Sequence, residues 1–301
     1  MIEAMEHQTR YPEAETRNSH QTTPPLQGGV KSANLQICKF ANFSPPPWTG
    51  GAPFQKGLID FLDFPLHAYT LEETVELILT HLRQKQIVNH MVLNAAKLVY
   101  AQKDPCLREA IFKSHIINAD GQSIVWGAAL LGKRLPERVA GIDLFFRLLR
   151  EFETNKVPVY FLGARDEVLK KIIDRVSHDY QKLPIAGYRN GYFSPEEEGH
   201  ICEVINRSKA QALFLGISSP KKEIFLLNNS FRLTPYFRMG VGGSFDILAG
   251  DTRRAPKWIQ KAGFEWLYRI YQEPGRMWKR YAVTNTLYIY HLITAVLKPR
   301  G

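Results

Sequence analysis

Residues 157–163 read VPVYFLG and residues 212–216 read ALFLG. Each stretch is apolar at almost every position and stops at a glycine. A strand with one face in water alternates apolar and polar residues, so continuous apolar runs of this length indicate strands buried on both faces. Such strands belong to parallel sheets that are covered by helices on both sides. The two stretches therefore predict an α/β protein.

Helical patterns separate these runs from other short apolar runs. Thr70 with Glu73, and Ser194 with Glu197, have the spacing of capping boxes, and Asp104 precedes a proline at a predicted helix start. Further strands are predicted over residues 87–93, 115–118, 183–186 and 237–241, and helices over residues 105–112, 122–131, 141–152 and 166–180. This alternation predicts a Rossmann-like, mostly parallel sheet with helices on both faces.

Composition divides the chain into three parts. Residues 1–55 are rich in Pro, Gly, Ser, Thr and Gln without a sustained period, which predicts a disordered extension. Residues 56–250 are predicted to form the α/β domain, and residues 251–301 a basic, aromatic C-terminal appendage. The chain is 45% apolar, and its three cysteines are odd in number and in no metal-binding spacing. With no recognisable signal peptide, these features predict a soluble protein in a reducing compartment.

The positive charge of the chain is concentrated in the appendage. The net charge is +10, and residues 251–301 hold ten Lys or Arg against three Asp or Glu, a surplus of seven. This surplus predicts an anionic partner, such as a phosphate group or an acidic membrane face, unless it is merely a solvated basic surface. Interleaved Trp and Tyr residues favour a membrane surface. Residues 282–297 are apolar but shorter than the roughly 20 residues of a membrane span, which predicts peripheral binding or packing on the domain.

Polar and small residues follow the predicted strands, where ligands of parallel sheets bind. Asp120 has two interpretations there, as the cap of the next helix or as a general base that takes a proton from a hydroxyl held by Asn94. The Asp120-Gly121 dipeptide by itself favours neither interpretation, and the position of Asp120 at a strand end favours the general base. Glycines at the same edge would let a backbone approach a phosphate or sugar, or would simply fit tight turns; they include Gly163, Gly216, Gly242 and Gly243.

Neither a metal nor a dinucleotide is indicated. The histidines are dispersed and no Asp-x-Asp pair occurs. The turn GVGGSFD (residues 240–246) lacks the Gly-x-Gly-x-x-Gly spacing and comes late in the chain. A nucleotide-sugar enzyme without a metal must neutralise its leaving diphosphate with backbone amides or with Arg and Lys. The appendage supplies such cations: Arg253, Arg254, Lys257, Arg269, Arg276, Lys279 and Arg280.

Taken in order, these motifs resemble the WecG/TagA/CpsF family of bacterial glycosyltransferases, glycosyltransferase family 26. The resemblance runs from about residue 60 to residue 281, and eight or more motifs in the same order make it specific. The motifs are VLNA (92–95), NADG (118–121), LPERVAGIDL (135–144), YFLG (160–163), GYF (191–193), PKKE (220–223), GVGGSFD (240–246), AG (249–250) with RAPKW (254–258), and EWLYR (265–269).

The resemblance implies an inverting, metal-independent and cofactor-free transfer of a sugar. The donor would be a UDP-sugar, and the acceptor a polyprenyl-diphosphate-linked saccharide at the inner face of the cytoplasmic membrane. It implies that Asp120 is the general base and that Asn94 binds the acceptor side, while Arg269, Arg276, Lys279 and Arg280 close over the diphosphate. Other substrate-binding residues expected from the motifs are Gly121, Arg138, Asp143, Gly163, Gly216, Pro220, Lys222, Glu223, Gly242, Gly243, Asp246 and Arg254.

Three positions depart from the family pattern. Val92 and Ile142 stand where the family often has Thr, and Lys222 stands where it usually has Gln. The donor sugar therefore stays open among N-acetylmannosamine, mannosaminuronic acid and glucose. No nucleic-acid partner is expected, and a homo-oligomer is left open. The alternatives are a nucleotide-dependent oxidoreductase of Rossmann type and a non-catalytic protein of the membrane surface.

Overall fold

The computed structural model describes residues 57–298, apart from the side chain of Arg276. The predicted disordered extension, residues 1–55, lies outside the described residues. Six strands form one sheet in the order β4-β3-β8-β7-β5-β6, with every neighbouring pair parallel. Two further strands, β1 and β2, form an antiparallel hairpin. The strands are β1 (Leu58–Phe61), β2 (Phe64–His67), β3 (Val88–Leu93), β4 (Ile116–Ala119), β5 (Val159–Gly163), β6 (Ile185–Arg189), β7 (Ala212–Gly216) and β8 (Phe237–Gly240).

Helices connect the strands and cover the sheet, and the two predicted capping boxes at Thr70 and Ser194 are both present. The Rossmann-like α/β class is therefore confirmed. The helices are α1 (Leu71–Arg83), α2 (Ala95–Ala101), α3 (Pro105–Phe112), α4 (Gln122–Leu130), α5 (Gly141–Thr154), α6 (Asp166–Asp179), α7 (Glu198–Arg207), α8 (Lys221–Asn228), α9 (Ser244–Leu248), α10 (Lys257–Lys261), α11 (Glu265–Gln272) and α12 (Pro274–Leu297).

The central strands are buried on both faces, as their continuous apolar sequences predict. All five residues of β5 are buried. Phe161 and Phe214 lie in a core with α5 and α6, while their strand neighbours Tyr160 and Leu213 lie in a second core with α7 and α8. The last strand, β6, begins two residues later than predicted. This strand lies at the sheet edge, and most of its residues are half-exposed. Its sequence therefore has little apolar pattern, and its bounds depend on pairing with β5.

The C-terminal helix α12 packs on the domain through one face. Its buried residues are Met277, Thr284 and Tyr288, and it contacts α2 and α4. The Tyr288 hydroxyl donates to the Ser123 carbonyl at 2.7 Å, beside Gly127, where any side chain would collide with that hydroxyl. No helix within residues 57–298 is long and apolar enough to cross a bilayer.

A buried polar network joins β3 and β4 to the first turn of α1. His90 Nε2 lies 2.8 Å from Asn118 Oδ1, and Asn118 Nδ2 donates to Thr74 Oγ1 at 3.2 Å. Thr74 Oγ1 also donates to the Thr70 carbonyl at 2.8 Å. Because Asn118 lies two residues before Asp120, this network holds the strand that leads into Asp120.

This network predicts a loss of stability in mild acid. Burial, with the charges of Lys97 and His67, lowers the pKa of His90 to about 4, although its hydrogen bond to Asn118 opposes that shift. An unfolded histidine titrates near 6.5, so between about pH 6.5 and about pH 4 the unfolded chain binds a proton that the folded chain does not. The free energy of unfolding should therefore fall by up to about 3 kcal/mol across that window. Urea unfolding at several pH values should show this slope, and His90→Gln should reduce it to the part that comes from His115, whose pKa burial likewise lowers to about 4; an unchanged slope would contradict the assignment.

Candidate active site

The carboxyl ends of β3 and β4 open into a cleft of about 460 Å³, which α4, α11 and α12 enclose. The sheet end contributes polar groups to this cleft, and the helices contribute mainly apolar and aromatic ones. The lining residues that bear on the chemistry are Asn94, Asp120, Gly121, Arg138, Glu265 and Arg269, and the apolar part includes Trp126, Leu130, Phe264, Trp266, Ile289 and Leu292.

Asp120 enters the cleft directly from β4. Its backbone N–H donates to the Leu93 carbonyl at 2.9 Å, which extends the pairing of β3 with β4 by one residue. The chain then turns at Gly121, whose φ of 118° is a conformation that other residues rarely adopt. Helix α4 begins after Gly121 without any side-chain cap. The Asp120 carboxylate is therefore not used as a helix cap, and it lines the cleft instead.

Asn94 contacts Asp120 and caps α2 at the same time. Its Oδ1 accepts the Lys97 backbone N–H at 2.9 Å, which leaves Nδ2 as the group that faces Asp120. Asn94 Nδ2 lies 3.5 Å from Asp120 Oδ2, the long limit of a hydrogen bond. Catalytic hydrogen bonds are often long before substrate binds and shorten in the complex. The arrangement places the Asn94 amide beside the Asp120 carboxylate, while acceptor binding by Asn94 stays a prediction.

A chain of ion pairs fastens α11 to the wall of the cleft. Arg138 pairs with Glu265, the first residue of α11, and Glu265 Oε1 also lies 3.6 Å from Arg254 Nε. Arg254 binds both carboxylate oxygens of Asp143 on α5, with Nη2 at 2.7 Å from Oδ2. Two of the arginines predicted to bind substrate are thus already paired with carboxylates. A ligand anion that bound to Arg138 or Arg254 would therefore compete with Glu265 and Asp143 for these cations.

A second, smaller cavity of about 50 Å³ lies beside the cleft. The turn after β8 contributes Gly243 to it, α9 contributes Asp246, and Arg254 also lines it. Glu265 and Arg269 line both cavities, so they form the partition between them. The structure therefore places Arg269 in the same cleft as Asp120, and Gly243 and Asp246 in the adjoining cavity.

Other predicted residues lie apart from these two cavities. Lys279 and Arg280 are exposed on α12 and line neither cavity. The side chain of Arg276 lies outside what the structure describes. Pro220 directly precedes α8, and Gly242 has a φ of 52° beside Lys222. Substrate binding by these residues stays a prediction.

Gly163 and Gly216 are held against each other where β5 and β7 end. A β-carbon on Gly163 would lie 2.6–2.8 Å from the backbone of Gly216, and one on Gly216 would overlap the Phe245 ring. Close packing of this kind accounts for both glycines, whether or not a ligand also approaches them.

We therefore expect Gly216→Ala to destabilise the fold. The added methyl group has no space beside Phe245, and overpacking of this severity costs about 3 kcal/mol or more. Urea unfolding measures the loss. Gly275→Ala on α12 is the matched control, since nothing lies within 4 Å of its β-carbon position, and it should change stability by less than about 1 kcal/mol. Equal stability of the two variants would contradict this account.

Lys222 and Glu223 lie in a buried cluster with Lys97. The ammonium groups of Lys97 and Lys222 are each 3.0 Å from Glu223 Oε1, and the three residues are 7%, 7% and 3% exposed for Lys97, Lys222 and Glu223. Burial opposes ionisation of Glu223, but the two ammonium groups outweigh it and lower the pKa of the carboxyl to about 2. The cluster lies between α2 and α8, where a direct contact with substrate would require it to open.

Sequence reasoning missed Lys97, Glu265 and the apolar side chains that α4 contributes to the cleft, Trp126 and Leu130. Glu265 stands inside the EWLYR motif, whose spacing could have drawn attention to it. Lys97 carries no such signal, because an isolated lysine in a helix reads as exposed. Throughout residues 57–298, no three or more His, Cys, Asp and Glu side chains form a group that could hold a metal ion.

Comparisons with known proteins support the family resemblance that the motifs indicate. A model of the glycosyl transferase WecG/TagA/CpsF family matches residues 59–301. A relative from Bacillus spizizenii strain W23 is 32% identical over 241 residues, which cover 80% of this chain and 89% of that protein. One from Bacillus subtilis strain 168 is 32% identical over 180 residues, which cover 60% and 69%. Both are named N-acetylglucosaminyldiphosphoundecaprenol N-acetyl-beta-D-mannosaminyltransferase. The resemblance is confirmed: this chain is a glycosyltransferase and belongs to the WecG/TagA/CpsF family.

Proposed function

We propose that the protein transfers a sugar from a UDP-sugar to a polyprenyl-diphosphate-linked saccharide, with inversion and without a metal. One observation carries the proposal. A single cleft combines the Asp120 carboxylate, which does not cap a helix, with the cations Arg138 and Arg269 and with an apolar wall. These are the groups that a hydroxyl nucleophile, a diphosphate and a lipid chain require.

Asp120 would act as the general base. The acceptor hydroxyl binds beside the carboxylate and attacks the anomeric carbon from the face opposite UDP. Its proton passes to Asp120 while the bond from the anomeric carbon to the diphosphate breaks, and UDP leaves with the electron pair. Arg269, on the partition between the two cavities, lies where it could balance the charge that develops on UDP.

The apolar wall suits a polyprenyl acceptor. Trp126 and Leu130 project from α4 and are 52% and 63% exposed, and Ile289 and Leu292 of α12 line the same cleft. Leaving such side chains in water is unfavourable, and a lipid chain would cover them. The two relatives are named as enzymes that act on an undecaprenol-linked N-acetylglucosamine diphosphate, which supports an acceptor of this class.

The exposed side of the C-terminal helices suits attachment to the inner face of the cytoplasmic membrane. We call it the C-terminal apolar surface; it comprises Trp258, Leu267, Tyr271, Trp278, Val283, Tyr290, Ile293, Val296 and Leu297, all at least half exposed. Exposed lysine and arginine side chains on the same helices, such as Lys279 and Arg280, would meet anionic lipid headgroups. The surface would place the cleft beside a membrane-bound acceptor.

A panel of UDP-sugars tests the function. Each is incubated with the enzyme and a lipid-diphosphate-N-acetylglucosamine acceptor, and UDP release is measured with and without EDTA. We expect one UDP-sugar to give acceptor-dependent, EDTA-resistant release, and NMR of the product to show an inverted anomeric configuration. Nicotinamide binding without any transfer would favour the oxidoreductase, and vesicle binding without any transfer would favour the non-catalytic alternative.

A further inference from the structure

Lys97 contacts the protein on both sides of Leu93, the residue that accepts the backbone N–H of Asp120. The Lys97 ammonium donates to the Val92 carbonyl at 2.7 Å, and the Lys97 backbone N–H donates to Asn94 Oδ1 at 2.9 Å. Leu93 lies between these two residues, and its carbonyl accepts from Asp120 N–H at 2.9 Å. Lys97 therefore binds the carboxyl end of β3 at the residue before and the residue after Leu93, whose carbonyl binds the Asp120 backbone.

The Val92 carbonyl needs such a donor. Carbonyls along a strand point alternately to its two neighbours, so Val92 faces β8 because Leu93 faces β4. The pairing of β3 with β8 ends at His90 opposite Met239, before Val92 is reached. A partly buried carbonyl without a donor costs free energy, and the Lys97 ammonium takes the place of the missing strand partner.

Glu223 holds the ammonium in that place. Its Oε1 lies 3.0 Å from Lys97 Nζ, and both side chains are buried. Glu223 belongs to α8, so the ion pair connects α8 to the end of β3. The Lys222 ammonium lies at the same distance from the same oxygen, Glu223 Oε1.

We propose that Lys97, with Glu223 as its counter-ion, is a positioning residue that fixes the end of β3 and the Asn94 amide and thereby orients the Asp120 carboxylate. This inference rests on the proposed role of Asp120 as general base. In this role Lys97 does not contact the substrate, and Glu223 acts by holding the Lys97 ammonium in place.

Lys97→Met is the primary test. Lys222 still neutralises Glu223 in this variant, so the fold has a balanced buried pair. A misplaced catalytic group costs about 10-fold to 100-fold in rate. We expect kcat to fall by about that factor while the KM for the donor and the Kd for UDP stay within about threefold. A kcat near that of the wild type, or an equal loss of UDP affinity, would overturn the proposal.

Two further variants complete the design. Lys103→Met, at an exposed lysine just after α2, should leave kcat and KM unchanged. Glu223→Asp keeps the charge but withdraws the carboxylate by one methylene, so it should lower kcat at least about fivefold with an unchanged donor KM. If Lys97→Met does not fold, Glu223→Asp tests the proposal in its place. A wild-type kcat in Glu223→Asp would then overturn the proposal.

NMR separates this proposal from the proposed function. The Asn94 side-chain amide resonances should shift in Asp120→Asn, because that amide faces the carboxylate at 3.5 Å. Lys97→Met should shift the same resonances, and Lys103→Met should not. An Asn94 amide that is insensitive to Lys97→Met defeats the positioning role even if the enzyme transfers sugar. Absence of transfer by the wild type on every donor defeats the function but leaves this result standing.

Discussion

Asp120→Asn is expected to lower kcat by about 10²–10⁴-fold while UDP binding persists. The substitution keeps the size of the side chain and its place after β4, but an amide cannot take the proton of the acceptor hydroxyl. Helix α4 should be unaffected, since no side chain caps it and Gly121 makes the turn. Steady-state kinetics with the preferred UDP-sugar, together with calorimetric titration of UDP, measure the two effects separately.

Asp63→Asn provides the matched control for the same chemical change. Asp63 is exposed on the hairpin of β1 and β2, and its φ of 63° is one that asparagine also tolerates. The control should keep wild-type kcat and stability. Near-normal turnover in Asp120→Asn would remove Asp120 from the role of general base, whereas a parallel loss of UDP affinity would make it a donor-binding residue.

The sheet was predictable because its signal is local. Strands buried on both faces must be apolar throughout, and the runs that became β5 and β7 satisfy that requirement within five residues each. Edge strands and hairpins carry weaker signals. The hairpin of β1 and β2 was not predicted, and β6 was placed two residues early, because both depend on partners elsewhere in the chain.

The site was predictable only in part, for the same reason. Asp120 and Asn94 stand at strand ends, and parallel strands bring their ends together. The sequence could not show that Asn94 caps α2, or that Gly163 and Gly216 make room for each other and for Phe245. Lys97 is the clearest example of a residue whose place in the site the sequence does not show. Its partners are Val92 on β3, Asn94 at the cap of its own helix, and Glu223 on the distant helix α8, so only the fold shows that this lysine is buried.

Arg269→Ala should produce the second large loss. Arg269 lies on the partition between the cleft and the smaller cavity, at one wall with Glu265. The leaving UDP gains negative charge in the transition state, and removal of one donor to such a charge costs about 10²–10³-fold in kcat. We therefore expect kcat/KM for the UDP-sugar to fall by about that factor, measured with a soluble short-chain acceptor so that membrane binding plays no part.

Lys261→Ala separates this effect from membrane electrostatics. Lys261 ends α10, is exposed and lines neither cavity, so its removal changes the net charge equally without touching the site. Both variants should weaken binding to anionic vesicles to a similar and small extent, since one cation near a lipid surface contributes about 1 kcal/mol. Only Arg269→Ala should lose turnover on the soluble acceptor. If instead its turnover is normal there and falls only on vesicles, Arg269 holds the enzyme to lipid, and the charge on UDP must be balanced by Arg138 or Arg254.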